Sequence, residues 1–293
     1  MVERANGPVV IFGASGFIGK HLLDRLQRLG VDVIVPVSET GERIDVAAPV
    51  HDLVKAIGNA SVVVNAAGRA HLHSTNPADF WAANAVGAGH VAAAAVAARA
   101  RRLVHVSSVA VGAGGVDPPV SVAMPFTAYG AAKAAGEFAT AAEVNGSTIE
   151  LVMVRPAGIG GMDSPGSWGT IWRRAAAGRR IPVPDNDVRH DVVEIDEVVD
   201  FLVRAVTGDV GPGAYALLGP GPTTLAEYAD RVAGVLGRTA HLVKVPAWTL
   251  AAAGASMSTV QKVTAPARRI EQLTATLNRQ RDLALSEMTE TTS

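Results

Sequence analysis

Residues 8–19 read PVVIFGASGFIG, and this stretch decides the fold. The apolar run over 8–13 has the character of a buried parallel strand. Apolar residues then recur at helical spacing over 17–29, and Gly30 stops that helix. A strand that turns through glycines into a helix brings backbone N–H groups and a positive helix end to one point, which suits a pyrophosphate. Gly13 permits the tight turn, Gly16 lets phosphates approach the backbone, and Gly19 lets helix and sheet pack closely. Ser15, Phe17 and Ile18 complete the loop that would face a dinucleotide.

Outward from this loop, the spacing predicts strands over 31–37, 61–66, 102–107 and 148–154, and helices over 49–58, 77–100 and 129–145. Pro36 argues for a strand end or edge. Strands alternating with helices at these lengths predict an α/β protein with a Rossmann-type doubly wound parallel sheet. Beyond residue 156 the pattern loosens. Residues 156–190 are rich in Gly, Pro and Arg. A strand and helix follow over 191–207, then a strand at 213–218, a helix at 223–236, a strand at 241–245 and a polar helix over 266–289. We expect a dinucleotide-binding core over 1–160 and a smaller, discontinuous, mainly substrate-binding portion over 161–293, with 191–207 returning to the core.

The composition removes several classes of function. The 293 residues carry 26 basic and 27 acidic side chains, a net charge of −1, so no basic field draws nucleic acid or anionic lipid. There is no cysteine, which excludes disulfides, thiolate catalysis and Cys-ligated zinc or iron–sulfur centres. Residues 1–8 are polar, so no secretory signal is expected. The mean hydropathy of +0.24 comes from Ala and Val spread through short segments. No apolar run approaches the roughly 18–20 residues of a spanning helix. A cytoplasmic protein with no membrane or nucleic-acid partner is expected.

The ribose end of the dinucleotide is ambiguous. The acidic residue that often binds the adenosine ribose would fall near Val37-Ser38-Glu39. Ser38 can bond a hydroxyl or a phosphate. Glu39 disfavours a 2′-phosphate and Arg43 favours one, so NAD and NADP both stay open.

A second constellation carries chemistry. Tyr129 and Lys133 lie one helical turn apart on one face. With three tyrosines and five lysines in 293 residues, chance gives this spacing about 0.05 times. A nearby ammonium favours tyrosinate and so lowers the phenol pKa toward working pH. Ser107-Ser108 ends the predicted fourth strand, where ligands of open parallel sheets bind.

At these residues the chain resembles the extended short-chain dehydrogenase/reductases of the NAD-dependent epimerase/dehydratase type, over about residues 8–245. Gly13, Gly16 and Gly19 match the family's glycine motif. Asp45-Val46 is similar to the pair that contacts adenine. Asn65-Ala66-Ala67-Gly68 resembles the third-strand cofactor motif, and Asn84 opens a similar Asn-x-x-Gly helix motif. Ser108, Tyr129 and Lys133 match the catalytic triad, and Arg155-Pro156 the dipeptide beside the nicotinamide. The resemblance implies that Tyr129 is the general acid/base, that Ser108 polarises the reacting oxygen, and that Lys133 binds the nicotinamide ribose and lowers the Tyr129 pKa. It also implies a nucleotide-sugar substrate passing through a transient ketone, and a homodimer through the helices at 77–100 and 129–145. A ketone/alcohol reductase on a non-nucleotide substrate and a non-catalytic dinucleotide-binding regulator are the alternatives.

Two departures from that pattern bear on the substrate. Val111-Gly112-Ala113 replaces the family's Val-Tyr-Gly, and Arg189-His190-Asp191 replaces an Arg-Asp pair that binds diphosphate. His71, Arg180 and Arg189 are the further substrate candidates. His71 and His73 lack an apparent third metal ligand, so no metal is expected. The acidic run from Asp185 to Glu197 lacks calcium-loop spacing, with Asp196 suited to a helix N-cap. Arg173, Arg174, Arg179 and Arg180 read as a solvated face or a phosphate contact. The segment 247–256 reads as a packed or dimer helix.

Overall fold

The computed structural model describes residues 7–37, 41–70, 77–112 and 127–247. All of these belong to one compact unit. Six parallel strands form the central sheet. They are β1 (Val9–Phe12), β2 (Val33–Ile34), β3 (Val62–Asn65), β4 (Arg102–Val106), β5 (Glu150–Pro156) and β9 (Gly213–Leu217), in the order β2-β1-β3-β4-β5-β9. Two parallel two-stranded sheets stand apart. One pairs β6 (Gly158–Gly160) with β8 (Val192–Glu194), the other β7 (Ile181–Pro184) with β10 (Leu242–Val245).

The continuous apolar run of β1 has a simple cause, because both of its faces are covered. Val9 and Ile11 face a core layer shared with Leu22 and Leu26 of α1 (Phe17–Arg28) and with Val198, Leu202 and Val206 of α7 (Ile195–Thr207). Val10 and Phe12 face the opposite layer, with Leu53 and Ile57 of α2 (Val50–Ile57) and Val91 and Ala95 of α4 (Gly87–Ala97). All four strand residues have no exposed surface. This is the doubly wound arrangement that the alternation of strands and helices predicts. A third cluster gathers Ile171 and Ala175 of α6 (Gly166–Ala176), Ile181 and Val183 of β7, and Tyr228 and Val232 of α8 (Leu225–Val235).

Several expectations need correction. The strand expected over 31–37 is only two residues long, consistent with Pro36 just beyond it. The helix expected over 77–100 is interrupted. It begins as α3 (Pro77–Trp81), widens into a π turn at Ala82–Val86, and resumes as α4. Residues 78–97 are also long and apolar enough to cross a membrane, contrary to the reading of short runs only, but 56% of that window is buried inside the fold. The helix α7 starts from Glu194, whose N–H donates to Glu197 Oε2 (3.2 Å), so Asp196 lies in the first turn and is not the cap. The elements β6, α6 and β7 occupy the stretch where the sequence showed only Gly, Pro and Arg. The segments expected to be helical at 247–256 and 266–289 lie outside the described residues, apart from Ala247.

From β1 the chain moves outward to β2 and then returns to the other side of β1 as β3. The connections diverge between β1 and β3, which opens a crevice at their carboxyl ends, the usual ligand position in such sheets.

Candidate active site

A cleft of about 510 Å³ occupies that crevice. Gly13, Ala14 and Ser15 line it after β1, Val35 and Pro36 after β2, and Ala67, Gly68 and Arg69 after β3, with Arg43, Asp45 and Val46 from the loop before α2. The backbone of the glycine loop is closely constrained. Gly13 sits at φ +80, and a side chain there would lie 2.5 Å from the Ala67 nitrogen. A methyl on Gly19 would lie 2.1 Å from the Gly13 carbonyl oxygen. The Gly16 N–H donates to the Gly13 oxygen (2.9 Å), and Gly16 leads directly into α1. This narrow, glycine-floored cradle at a helix N-terminus fits the pyrophosphate of a dinucleotide. Ile18 packs on the core, and the Phe17 ring meets His21 edge-on at 5.4 Å, so these two brace the loop.

The other dinucleotide candidates converge from separate elements. Asp45 lines the cleft, and its Oδ1 accepts the Ala47 N–H (2.9 Å), which fixes the turn into α2. Val46 is buried against Gly87, where a side chain would lie 2.5 Å from Val46 Cγ2. Asn84, inside the π turn, holds Arg69 at both backbone ends. Its Oδ1 accepts the Arg69 N–H (3.0 Å) and its Nδ2 donates to the Arg69 oxygen (2.9 Å). The Asn-x-x-Gly motif thus fixes the β3 loop with its first residue and admits the Asp45-Val46 loop with its last. A π turn that serves a site in this way has ample precedent. Ala66 donates its N–H to Phe12 (3.0 Å) and Ala67 donates to Asn65 Oδ1 (3.2 Å), so the third-strand motif is tied to β1. Ser38 and Glu39 lie outside the described residues.

The catalytic candidates stand at the end of β4 and on α5 (Ala128–Val144). Ser108 follows β4 directly, and its Oγ accepts the Ala110 N–H (3.2 Å). Thr127 caps α5 by accepting the Gly130 N–H at 2.9 Å, a signal legible in the sequence but missed. A side chain on Gly130 would strike the Ala110 oxygen at 2.3 Å, so glycine lets α5 press against the serine turn. Tyr129 is hydrogen-bonded to Ser108, and its ring meets Phe80 edge-on at 6.0 Å. Lys133 is 5% exposed and donates from Nζ to the Val106 carbonyl (3.0 Å). It also approaches Gly68, where a side chain would lie 3.0 Å from Nζ, which connects the triad to the cleft.

The electrostatics correct one expectation. Burial pushes the Tyr129 phenol up from its ordinary value, and the Ser108 hydrogen bond only partly opposes this. The ammonium does not dominate it. Burial also brings Lys133 down to about 8, against a raising effect from Glu137. The phenol therefore holds its proton at neutral pH, the form that donates to a developing alkoxide. His105 lies beneath, fully buried and held neutral, with its pKa brought down to about 3 by burial and by Lys133. Its Nδ1 lies 3.4 Å from Asn65 Nδ2, while its Nε2 has no hydrogen-bond partner. The Ser107 hydroxyl is likewise buried without a partner.

Sequence reasoning missed Glu137. It sits one turn beyond Lys133, and both of its carboxylate oxygens accept from Arg155 (2.8 and 2.5 Å). A one-turn repeat of Tyr129, Lys133 and Glu137 on one helix face was the available signal. Pro156 is buried at the end of β5.

The substrate candidates are dispersed. Arg189 is exposed and paired with Glu227 (2.7 Å), and it also donates to the Pro222 carbonyl (3.0 Å). His190 faces Trp168 edge-on at 5.8 Å, and burial lowers its pKa. Arg180 is exposed, and its carbonyl accepts from Arg174 (2.8 Å). His71, His73 and Ala113 lie outside the described residues. Among the described residues no group of three metal-ligating side chains forms.

The glycine cradle and the Ser–Tyr–Lys cluster thus stand beside one another on a Rossmann-type fold. Residues 9–217 match the NAD dependent epimerase/dehydratase family, and the chain belongs to that family. It is 24% identical over 270 residues to a UDP-glucose 4-epimerase of Vibrio cholerae, covering 82% of this chain and 79% of that one. It is 32% identical over 210 residues to a dTDP-4-dehydrorhamnose reductase of Mycobacterium tuberculosis, covering 68% and 66%. Among solved structures, MoeE5 in complex with UDP-glucuronic acid and NAD shares the fold, with TM-score 0.66, 22% identity, and coverage of 82% and 86%. The protein is an NAD(P)-dependent enzyme of the epimerase, dehydratase and reductase type.

Proposed function

We propose that the chain interconverts a carbinol and a ketone on a nucleotide sugar, with Tyr129 as the acid/base. The observation that carries this is the hydrogen-bonded Ser108–Tyr129 pair, with Lys133 one turn on and reaching the cleft at Gly68. A bound nicotinamide supplies the two-electron chemistry. Gly13, Gly16, Gly19 and Ser15 hold its pyrophosphate, Asp45 and Val46 its adenine side, and Ala66, Ala67, Gly68, Asn84, Lys133 and Pro156 its nicotinamide half. Ser108 orients the reacting oxygen and steadies its charge. Tyr129 gives that oxygen a proton in the reducing direction and takes one in the oxidising direction. A transient ketone would allow epimerisation or dehydration with no net redox change.

A net reductase is the second reading, favoured by the 32% identity to a dTDP-4-dehydrorhamnose reductase. Residues 161–293 would supply most of the substrate contacts, including Arg180 and Arg189, with His71 from the core. The exposed apolar side chains Trp81, Val86 and Phe138 support a homodimer through the helical stretches 77–100 and 129–145, with Phe138 68% exposed. A cytoplasmic location completes the proposal.

The test is turnover of a panel of UDP- and dTDP-sugars with either cofactor, by wild type and Tyr129→Phe. Loss of turnover with cofactor affinity kept supports the assignment. Activity surviving in the variant overturns it.

A further inference from the structure

We propose that Phe80 is a positioning residue for the reaction, its ring fixing the plane in which Tyr129 presents its hydroxyl and keeping water from the back of the phenol. The inference rests on the reading of Tyr129 as the acid/base and names what aims it. Tyr129 is the second residue of α5, just behind the Thr127 cap. The torsion that turns an aromatic ring is broad and has no sharp preference of its own. The hydrogen bond to Ser108 holds the hydroxyl, but a ring held at one end still turns about its long axis. A phenol O–H lies in the plane of its ring, so that turn would carry the proton away from a reacting oxygen.

A second contact removes this freedom. The Phe80 ring meets the Tyr129 ring with planes at 75° and centroids 6.0 Å apart, the edge-on arrangement that aromatic pairs prefer. Phe80 is 5% exposed, whereas Tyr129 is half-buried. The phenylalanine is thus a buried wall, and the tyrosine in front of it is the ring left open to a ligand. The wall is itself anchored. Phe80 lies on α3, four residues before Asn84, which grips both backbone ends of Arg69. Gly68, the residue before Arg69, is where Lys133 Nζ approaches the cleft. One helical stretch therefore holds the loop after β3 through Asn84 and the phenol through Phe80, which fixes the spacing between the two. Phe80 has no polar atom, so its effect on the chemistry passes through Tyr129. The charged and titratable groups on the described elements around the phenol are Lys133 and Glu137 on α5, His105 on β4 and Asp79 on α3. A substitution at Phe80 leaves all four side chains in place, so a change in the phenol reports the loss of its cover.

The experiment compares wild type with Phe80→Leu, which keeps much of the apolar volume and loses the ring. Phe80→Met, which fills irregular space, repeats the ring loss should the leucine variant fail to fold. Calorimetry with NADH and NADPH should give affinities within about twofold of wild type, since Phe80 lies outside the cradle. In turnover of UDP- and dTDP-sugars, kcat should fall by about tenfold or more with KM nearly unchanged, the signature of a misaimed proton donor. The second readout needs no substrate. At the highest pH at which circular dichroism shows both chains folded, Phe80→Leu should carry more tyrosinate by ultraviolet absorbance than wild type, because burial is what holds the phenol proton. The chain has three tyrosines, and the excess should vanish when Tyr129→Phe is added. A wild-type kcat in Phe80→Leu overturns the aiming role and leaves the Tyr129 reading standing. A raised KM or a lost dinucleotide affinity at unchanged kcat shows a general loosening of the cleft and also overturns it. Equal tyrosinate in the two chains overturns the cover. If wild type turns over none of the sugars, the nucleotide-sugar reading fails by itself, and the tyrosinate comparison decides for or against Phe80.

Discussion

The guanidinium of Arg155 donates to both carboxylate oxygens of Glu137, one turn of α5 beyond Lys133. Glu137 is 8% exposed and Lys133 5%, so the three charges lie in a largely dry layer between β5 and α5. The pair joins the strand that ends in Pro156 to the helix that carries Tyr129. It also sets a negative charge near an ammonium that burial would otherwise discharge.

Glu137→Gln should therefore leave Arg155 charged and poorly matched. Removing one partner of a buried pair costs about 3 kcal/mol or more. Urea unfolding should show this as a lower midpoint with an unchanged slope. Lys133 should also discharge at lower pH than the wild type's value of about 8, because the effect that raises it is gone. The pH dependence of cofactor affinity reads this out, and a profile unmoved by the substitution would refute the link.

His105 predicts an acid-sensitive fold. Its folded-state pKa of about 3 lies below the ordinary value of 6.5, so between those limits the unfolded chain binds the extra proton. Stability should be unaffected by this residue above pH 6.5 and should fall as the pH drops from 6.5 toward 3. His105→Gln should flatten that fall. Urea midpoints at pH 7 and pH 5 compare the two proteins, and equal losses in both would count against His105 as the cause.

Gly19→Ala tests the cradle. The added methyl would lie 2.1 Å from the Gly13 oxygen, so the loop or α1 must shift. Overpacking of this kind costs roughly 1–3 kcal/mol. We expect dinucleotide affinity to fall by at least about tenfold, since the same movement displaces the phosphate-facing backbone. Gly30→Ala is the control, because nothing lies within 4 Å of its Cβ position, although its φ of +72 will cost some stability. Equal dinucleotide affinity in both variants would remove the steric argument.

Lys133→Ala should weaken cofactor binding, as the approach of Nζ to Gly68 implies. It should also release the Val106 carbonyl. Unchanged affinity, measured by calorimetry, would separate Lys133 from the cofactor.

The parts of the fold legible in the sequence are those whose cause is local. The β1 run is apolar because both faces are covered, and Gly13 and Gly19 are glycines because neighbouring backbone leaves no room. The Tyr129–Lys133 spacing is one helical turn and needs no tertiary knowledge. Where the reading fell short, the cause lies far along the chain. β6 exists through pairing with β8, and β7 through pairing with β10, about sixty residues on. The Tyr129 phenol was misjudged because its burial cannot be read from a Tyr-x-x-x-Lys spacing. The pairing of Arg189 with Glu227, 38 residues on, is likewise set by the fold and not by local sequence.

The π turn at Ala82–Val86 makes the length of its helix a fixed quantity. A wide turn holds one residue more than a regular turn, so loss of a single residue there would let the helix become regular with its backbone bonds intact. The turns on either side would keep their facing, because the residue lost is the surplus that the wide turn absorbs. Phe80 would keep its place against Tyr129, but the wide turn that presents Asn84 to both backbone ends of Arg69 would be gone. A deletion that tidied the helix would thus undo the clamp on the β3 loop, so this segment should tolerate exchanges of side chain far better than changes in residue count.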